Sequence, residues 1–229
     1  MTNIFATYNA YYTDSTGRVA VIIENDFQLL SLKIEGVKFE GSGFNSLSII
    51  DKKSYSNEQL QRFALRPIQV WNRDNNTTYT DEELSNFSLK FVIPQIIIDV
   101  VNGRVFSADL LLNYSLNSTN ESFAVTLTVG EIDYIGRGDC IEIAFDQINN
   151  QFANKYRFKN CYGCMFGDYS VYGNDSFGTM LCFSNQKQEY CETNSKASYM
   201  ELAPPRDAVQ EIYCCPDYVI RRKGVGYRY

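Results

Sequence analysis

The stretch from Cys161 to Cys182, CYGCMFGDYSVYGNDSFGTMLC, constrains the fold of this chain more than any other. It holds three of the seven cysteines of the sequence, and 17 residues separate Cys164 from Cys182. A Cys-x-x-Cys pair lets two thiolates reach one ion from a tight turn, and Gly163 supplies the backbone freedom that such a turn uses. The spacing predicts half of a four-thiolate metal site on a glycine-rich hairpin.

The fourth ligand of this site lies farther along the chain. Cys191, Cys214 and Cys215 are all candidates, and their spacing does not rank them. Thiolates are soft ligands, which favours zinc, and four of them leave no open coordination position for a substrate. The sequence therefore predicts a structural Zn²⁺ rather than a catalytic one.

Two other interpretations of the cysteines stay open. One is a set of free buried thiols, because cysteine is often buried without a special role. The other is a redox pair of Cys161 and Cys164, although Met165-Phe166-Gly167-Asp168 is a poor start for the helix that a thioredoxin-like motif needs. A disulfide framework is disfavoured by the odd number of cysteines and by the cytoplasmic location predicted below.

Further motifs accompany the cysteines along residues 156–229. They are Cys161-x-x-Cys164, Asp168-Tyr169-Ser170, Tyr172-Gly173, Phe177-Gly178-Thr179-Met180 with Cys182, Val209-Gln210-Glu211 with Tyr213 and Cys215, and Arg222-Lys223-Gly224-x-Gly226-Tyr227-Arg228. Together they resemble the signature of an uncharacterised bacterial family, a domain of unknown function whose members are similar to proteins found near polymorphic-toxin and immunity genes. Residues 1–155 match that family only in their β-rich character.

This resemblance implies a ligand set and a function. In the family pattern, a cysteine lies two residues beyond the tyrosine of the Gln-Glu-x-Tyr run, which is Cys215 here, whereas Cys191 and Cys214 fall where the pattern has apolar residues. The implied zinc ligands are Cys161, Cys164, Cys182 and Cys215. The implied function is that of an immunity protein, which neutralises a cognate toxin by occluding its active site; the resemblance implies no catalytic residues.

Three residues between the cysteines allow two interpretations. Asp168 can hydrogen-bond backbone amides and hold the loop, while Tyr169 and Tyr172 cover the metal site and keep water away from the thiolates. Alternatively, Asp168, Tyr169 and Tyr172 form part of a surface that recognises a protein partner, since tyrosine is favoured at interface hot spots.

The absence of histidine bears on catalysis. The sequence contains none, which removes the commonest general base near neutral pH and every Ser-His or Cys-His nucleophile pair. We therefore expect a non-enzymatic binding protein. One alternative is an enzyme that uses carboxylates such as Asp168 or Glu211, with the zinc purely structural. Another is a zinc-bearing adaptor that has no link to toxins.

Charge is unevenly distributed along the chain. Residues 1–149 contain 11 Lys and Arg against 19 Asp and Glu, whereas residues 150–229 contain 10 against 8. An acidic N-terminal region argues against nucleic acid as a partner and is compatible with a basic protein such as a nuclease toxin. The short basic run Arg221-Arg222-Lys223 predicts a solvated terminus.

Hydropathy predicts a protein without membrane segments. No apolar run approaches the roughly 18 residues that a membrane helix needs. The N-terminal sequence MTNIFATYNAYYTD lacks the basic start and apolar core of a secretory signal. We therefore expect a cytoplasmic location.

Alternating apolar residues predict an antiparallel sheet or sandwich over most of the first 140 residues. The predicted strands cover 4–12, 18–23, 27–34, 37–39, 89–93, 96–101, 105–116 and 123–129. Asn102-Gly103 is a strong signal for a hairpin turn, and Pro94 predicts a break or a sheet edge.

Short helices and a second lobe complete the predicted fold. Helices are expected at 57–65, before Pro67, and from the capping box of Thr80 and Glu83 to Phe87. A third helix is expected at 141–152 from its apolar spacing. The predicted class is mainly β (α+β), with a β-rich acidic domain over residues 1–155. Residues 156–229 are expected to form a zinc-ribbon-like C-terminal lobe packed on that domain.

Overall fold

A computed structural model describes residues 5–72, 75–173, 177–178 and 180–228. The protein is mainly β, as predicted from the alternating sequence pattern. Its strands are β1 (Ala6–Asp14), β2 (Gly17–Asn25), β3 (Leu30–Ile34), β4 (Val37–Gly41), β5 (Ser48–Ile49), β6 (Leu65–Asn72), β7 (Thr77–Leu84), β8 (Phe87–Asp99), β9 (Val105–Asn117), β10 (Asn120–Val129), β11 (Ile132–Gly138), β12 (Tyr156–Phe158), β13 (Gly167–Asp168), β14 (Met180–Cys182) and β15 (Asp207–Val209).

In the described part of the chain, four short α-helices accompany the strands. They are α1 (Asn57–Gln61), α2 (Ile141–Gln151), α3 (Lys187–Glu192) and α4 (Lys196–Met200), and two 3-10 helices cover Phe44–Ser46 and Lys52–Ser54. Within the described ranges, no helix is long and apolar enough to cross a membrane.

The chain forms two compact units. The first contains Met1–Val92 and Leu112–Ser122, and the second contains Ile93–Leu111 and Phe123–Tyr229. Strands β8, β9 and β10 each contribute residues to both units. The predicted lobe, residues 156–229, lies wholly within the second unit.

The first unit is built on antiparallel pairing in the order β8-β1-β2-β3-β4-β5-β7-β6. Tyr8, Ala10 and Tyr12 of β1 are buried, while the residues between them point outward. Strands β2 and β3 have the same sidedness, and Leu30, Leu32 and Ile34 are all buried. Alternation of this kind is what one packed sheet face requires.

In the second unit, the strand order is β11-β10-β9-β8, and β12 pairs with β8 from Ile97 to Asp99. Helix α2 covers β11, whose outer edge pairs with no other strand among the residues that the structure describes. Gln147 exchanges two hydrogen bonds with the backbone of Arg137 (3.0 and 2.7 Å), and Gln151 does the same with Ile135 (3.1 and 2.5 Å). These two side chains occupy backbone groups that would otherwise invite another strand.

A separate three-stranded sheet in the second unit has the order β13-β14-β15. Its strands are two or three residues long, and loops and the short helices α3 and α4 fill the sequence between and around them. This small sheet supports the cysteine-containing segments.

Several predictions are confirmed. The hairpin of β1 and β2 turns at Asp14–Gly17, and β8 and β9 are joined through Gly103, which has a φ of +70°. Helix α2 begins at the predicted residue, and its apolar side chains at 141, 145 and 148 are fully buried. The first predicted strand began at Ile4, which lies outside the described residues.

The helix predicted from Thr80 and Glu83 is wrong, because this segment is strand β7. Thr80 pairs with Gln69 of β6 and Glu83 with Arg66. The Arg66 Nη2 and Glu83 Oε2 atoms are 2.6 Å apart. The short capping-box pattern was outweighed by this cross-strand pairing and by burial of Leu84 at the end of the strand.

The break predicted at Pro94 is also wrong, since β8 continues through it. The pairing of β1 with β8 ends at Phe91, and that of β12 begins at Ile97. Pro94 lies between these two paired stretches, so its missing N–H costs no hydrogen bond to either strand. Helix α1 begins at the predicted Asn57 and ends before Pro67, but it stops at Gln61 rather than at Leu65, because Leu65 and Pro67 already lie in β6, the last strand in the order of the first unit.

Candidate metal centre

Cys161 and Cys164 lie in a turn that follows β12, as predicted. The Cys161 amide donates to the Tyr213 carbonyl (2.9 Å), and the Cys164 amide donates to the Cys161 carbonyl (3.2 Å). Gly163 is needed here for space rather than for an unusual φ, because a Cβ atom would lie 2.3 Å from the Phe158 carbonyl oxygen. The turn therefore requires glycine at this position because the backbone of Gly163 lies against the Phe158 carbonyl group.

Two buried amides that the sequence analysis missed hold this turn. Asn160 Oδ1 accepts from the Gly163 amide (3.1 Å), and Asn160 Nδ2 donates to Gln95 Oε1 (2.7 Å). Gln95 Nε2 in turn donates to the Ile212 carbonyl (3.3 Å), three residues before Cys215. An asparagine directly before a turn is a recognisable signal, whereas nothing in the local sequence marks Gln95.

The other two cysteines come from separate segments. Cys182 ends β14 and pairs with Gly167 of β13, and Cys215 follows the chain that leaves β15. Four cysteines line one small space of about 10 Å³, and we call them the cysteine cluster: Cys161, Cys164, Cys182 and Cys215. This space is about the size of a single water molecule.

The thiols of the cysteine cluster are buried. Burial, together with the neighbouring thiols of Cys164 and Cys215, raises the pKa of the Cys161 thiol well above its ordinary value. Burial also raises the pKa of the Cys215 thiol, although the Arg206 guanidinium beside it opposes the rise. A thiol whose pKa is raised in this way is neutral at pH 7.

The remaining cysteines do not line this space. Cys214 Sγ lies 3.7 Å from the Ile212 carbonyl oxygen, Cys191 packs in the apolar cluster around Tyr190, and Cys140 precedes α2. Of the three candidates for a fourth ligand that spacing left open, the structure places Cys215 with the other three cysteines. All seven thiols are free.

The side chains as they stand do not form a ready metal site. Across residues 5–72, 75–173, 177–178 and 180–228, no group of three or more His, Cys, Asp or Glu residues has an arrangement that could hold a metal ion. The cysteine cluster supplies a soft, all-thiol donor set around a space for one small ion, and this is the feature that fits zinc.

Asp168 and Tyr169 lie inside the protein. Asp168 is 2% exposed and accepts hydrogen bonds from the Tyr190 hydroxyl (2.7 Å) and the Tyr169 amide (2.7 Å). Tyr169 is 9% exposed and packs against Cys161 and Cys215. Asp168 thus holds the loop, and Tyr169 covers two of the thiols. Thr179 of the same motif lies outside the described residues.

Tyr172 lies at the surface. Its side chain is 78% exposed, and the Lys196 ammonium is 5.4 Å from the ring centre. Of the three residues predicted to contact a partner, Tyr172 is therefore the one that a partner can touch directly.

Glu211 is fully buried beside Tyr169, the tyrosine that packs against the cysteine cluster. Its carboxylate accepts from the Gly178 amide (2.9 Å) and the Tyr169 hydroxyl (3.3 Å). Burial raises the pKa of Glu211 to about 7, although both donors oppose this shift. A carboxyl group with such a pKa is half-protonated near neutral pH, which is the range of general bases.

The basic run predicted to be a solvated terminus is so only in part: Arg222 and Lys223 are exposed, whereas Arg221 is half-buried. Arg221 donates to the carbonyl oxygens of Cys164 (2.9 Å) and Gly167. Arg228 stacks on the rings of Tyr162 (4.8 Å) and Tyr169 (4.9 Å). These contacts fasten the end of the chain to the segments around the cysteine cluster.

Comparison with known proteins places the chain in a family without giving it a function. No curated protein and no solved structure matches it. A family model does match, over residues 6–167. This range contains Cys161 and Cys164, whereas the motifs from Asp168 to Arg228, which carried most of the resemblance, lie beyond it. The matched range covers well over half of the chain, and the protein therefore belongs to the family of unknown function DUF6304.

Proposed function

We propose that Cys161, Cys164, Cys182 and Cys215 hold one structural zinc ion. The observation that carries this proposal is the convergence of these four cysteines, from three separate segments, on one space of about 10 Å³. Zinc in structural sites is bound by four ligands, of which thiolates are the commonest, and such a site has no open position for a substrate.

The chemistry of the surroundings supports the same proposal. When bound, a divalent cation supplies the positive charge that allows buried thiols to ionise. Tyr169 excludes water from one side of the cysteine cluster, and Arg221 holds the carbonyl oxygens of Cys164 and Gly167. These residues fix the backbone from which two of the four thiols project.

Adjacent cysteines provide a matched test. Protein purified without chelators is analysed for metal as wild type, Cys215→Ser and Cys214→Ser. We expect about one equivalent of zinc in the wild type and in Cys214→Ser, and much less in Cys215→Ser, because a closed zinc site needs all four ligands. Less than about half an equivalent in the wild type, or equal loss in both variants, would contradict the proposal.

With zinc in a structural role, we propose that the protein acts by binding another protein rather than by catalysis. The sequence contains no histidine. The two carboxylates that an enzyme of this kind would use are Asp168, 2% exposed, and Glu211, 0% exposed. Both hydrogen-bond to groups of the protein itself, which favours a part in folding over a part in chemistry.

The most concrete form of this proposal is an immunity protein that binds a cognate toxin. Its support is the resemblance of residues 156–229 to proteins encoded near toxin genes, and the acidic balance of residues 1–149, which suits a basic partner. A zinc-bearing adaptor that binds some other protein is the alternative within the same class.

The first unit offers an exposed surface for a protein partner, and the charged residues that line it, Glu24, Lys33 and Lys38, do not make it acidic. Tyr11 and Ile22 lie on the outward side of β1 and β2 and are 47% and 56% exposed. They border a concave space of about 640 Å³, and Tyr11 lies directly opposite Ala20 while Ile22 lies opposite Asn9. An exposed tyrosine beside an exposed isoleucine is a combination found in interface cores.

Binding is tested by co-expressing the protein with the product of the neighbouring gene. We expect a stable complex on gel filtration, protection of the host from the partner's toxicity, and no detectable binding by Ile22→Glu. Ile132→Glu, at a side chain 55% exposed in the second unit, is the matched control. Tyr172→Ala tests the second exposed candidate.

Three outcomes separate the hypotheses. Complex formation with protection supports an immunity protein, whereas complex formation without protection supports an adaptor. Absence of any complex, together with loss of a measurable turnover in Glu211→Gln, would favour the carboxylate-dependent enzyme, for which the raised pKa of Glu211 is the specific observation.

A further inference from the structure

The second unit contains a polar cleft with walls of opposite charge. Its volume is about 270 Å³, and we define it by the charged side chains that line it: Glu142, Asp146, Arg157, Arg221, Lys223 and Arg228. The carboxylates come from one face of α2, and the cations come from β12 and the C-terminal segment. This cleft is separate from the space that the cysteine cluster lines. Arg221 contributes to both, because it lines the cleft and donates to the Cys164 carbonyl oxygen.

The two carboxylates of the cleft are already engaged. Glu142 Oε1 lies 3.1 Å from Arg228 Nη2, and both side chains are largely buried. Asp146 accepts a short hydrogen bond from the Tyr162 hydroxyl. The negative charge of the α2 wall is therefore committed to partners within the protein.

The remaining cations hydrogen-bond only to neutral groups or stand alone. Arg157 donates to Asn154 Oδ1 (2.6 Å) and to a backbone carbonyl (3.0 Å). Arg221 donates to carbonyl oxygens, and neither it, Arg157 nor Lys223 forms an ion pair with any residue that the structure describes. In a chain of net charge −6, two cations at one cleft, Arg157 and Lys223, have no carboxylate within ion-pair distance among the described residues, while the charge of Arg221 acts on the buried Asp168.

We propose that this cleft binds a small molecule through a phosphate group. A phosphate dianion has enough oxygen acceptors for two guanidinium groups and an ammonium, whereas a single carboxylate is satisfied by one arginine. Arg157 and Lys223 contact the phosphate, and Arg221, whose donors are mostly used by carbonyls, contributes its charge. The cleft is slightly smaller than most ligand pockets, which limits the remainder of the ligand to a few atoms.

The proposal is tested by isothermal titration calorimetry on the full chain. The probes are inorganic phosphate, glycerol 3-phosphate and succinate, at constant ionic strength. The variants are Lys223→Gln and Arg157→Gln, and the control is Lys155→Gln, which removes the same charge from a fully exposed side chain outside the cleft.

We expect saturable binding of both phosphate probes and about tenfold weaker binding by Lys223→Gln and by Arg157→Gln, the loss that corresponds to one charge-assisted hydrogen bond. Lys155→Gln should bind as the wild type does. Tighter binding of glycerol 3-phosphate than of phosphate identifies an ester as the ligand, and the reverse order identifies the free ion. Succinate binding as tight as that of phosphate, no binding by the wild type, or equal losses in all three variants would overturn the proposal.

Discussion

The interior of the first unit differs from the interior of residues 156–228 in the polarity of the buried side chains. In the first unit, the buried side chains are mostly apolar or aromatic, and they come from strands that alternate in sequence. The first unit buries four polar side chains as well, and residues 156–228 bury a larger set over a shorter stretch: Asn160, Asp168, Gln186, Thr193, Gln210 and Glu211. The first interior follows mainly from hydropathy, whereas the second depends more on hydrogen bonds to its polar groups.

This difference has a structural cause. Long strands satisfy their backbone groups by pairing with one another, so their side chains are free to be apolar. The strands β12 to β15 are two or three residues long and leave many backbone groups unpaired. Polar side chains form hydrogen bonds with these backbone carbonyls and amides instead, among them Asn160, Gln186 and Arg221. A metal ion is a common way to stabilise a region of this kind.

The largest expected effect comes from removing the proposed zinc. A strong chelator should increase amide hydrogen exchange in β13, β14 and β15 by at least about 100-fold, because structural zinc contributes a large share of the folding free energy in small metal-binding lobes. Exchange in β1 to β4 should change little, since apolar packing stabilises the first unit. Mass spectrometry of peptic fragments measures both. Equal protection of β13 to β15 with and without chelator would show that no metal stabilises this region.

The second prediction addresses the apolar interior. Phe39 is fully buried, and its ring packs edge-on against Phe63 with the centroids 4.9 Å apart. Phe39→Ala should lower the free energy of unfolding by about 3–5 kcal/mol, the cost of a large cavity. Urea denaturation measures this loss, and Ile132→Ala, at an exposed position, should cost less than about 0.5 kcal/mol. The zinc content of Phe39→Ala should equal that of the wild type.

The same contrast decides how much of the fold could be predicted from sequence. Strands β1, β2, β8, β9 and β10 follow an alternation that a single strand already displays. Helix α2 likewise shows its apolar face locally. The errors occurred in segments whose secondary structure depends on pairing with a distant segment. The sequence around Glu83 matches a helix cap, but in the structure Glu83 lies in a strand opposite Arg66. Strand β11 was missed because Gly136 and Arg137 interrupt its alternation.

The candidate site was predictable in part. Cys161, Cys164 and Cys182 were found from spacing, but spacing could not separate Cys214 from Cys215, since adjacent residues differ only in the direction of their side chains. The burial of Asp168 was equally out of reach, because it depends on Tyr190, which lies 22 residues farther along the chain. Sequence marks which residues can take part in such contacts, and the tertiary fold decides which of them meet.

The third prediction concerns Glu211 and pH. Burial raises the pKa of Glu211 from its ordinary value near 4.5 to about 7, so the folded state holds this proton more tightly than the unfolded state. The resulting stability is present below pH 4.5 and is lost as the pH rises to about 7, by about 3 kcal/mol in all. Glu211→Gln should lack this loss, so that its unfolding free energy relative to wild type rises between pH 5 and pH 8 in urea titrations. Parallel curves for the two proteins would contradict the prediction.

The smallest expected effect tests a single hydrogen bond of the polar interior. Tyr190→Phe removes the hydroxyl that donates to Asp168 (2.7 Å) and keeps the ring that stacks on Phe183, with centroids 5.2 Å apart. We expect a loss of about 1–3 kcal/mol in unfolding free energy, because a buried carboxyl loses one of its donors. Burial already raises the pKa of Asp168, and the Tyr190 hydroxyl opposes that rise. The pKa of Asp168, measured by carbon NMR, should therefore increase further in the variant. Tyr172→Phe, at an exposed ring, should change neither quantity, and an unchanged pKa of Asp168 in Tyr190→Phe would show that this hydroxyl does not help hold the carboxylate.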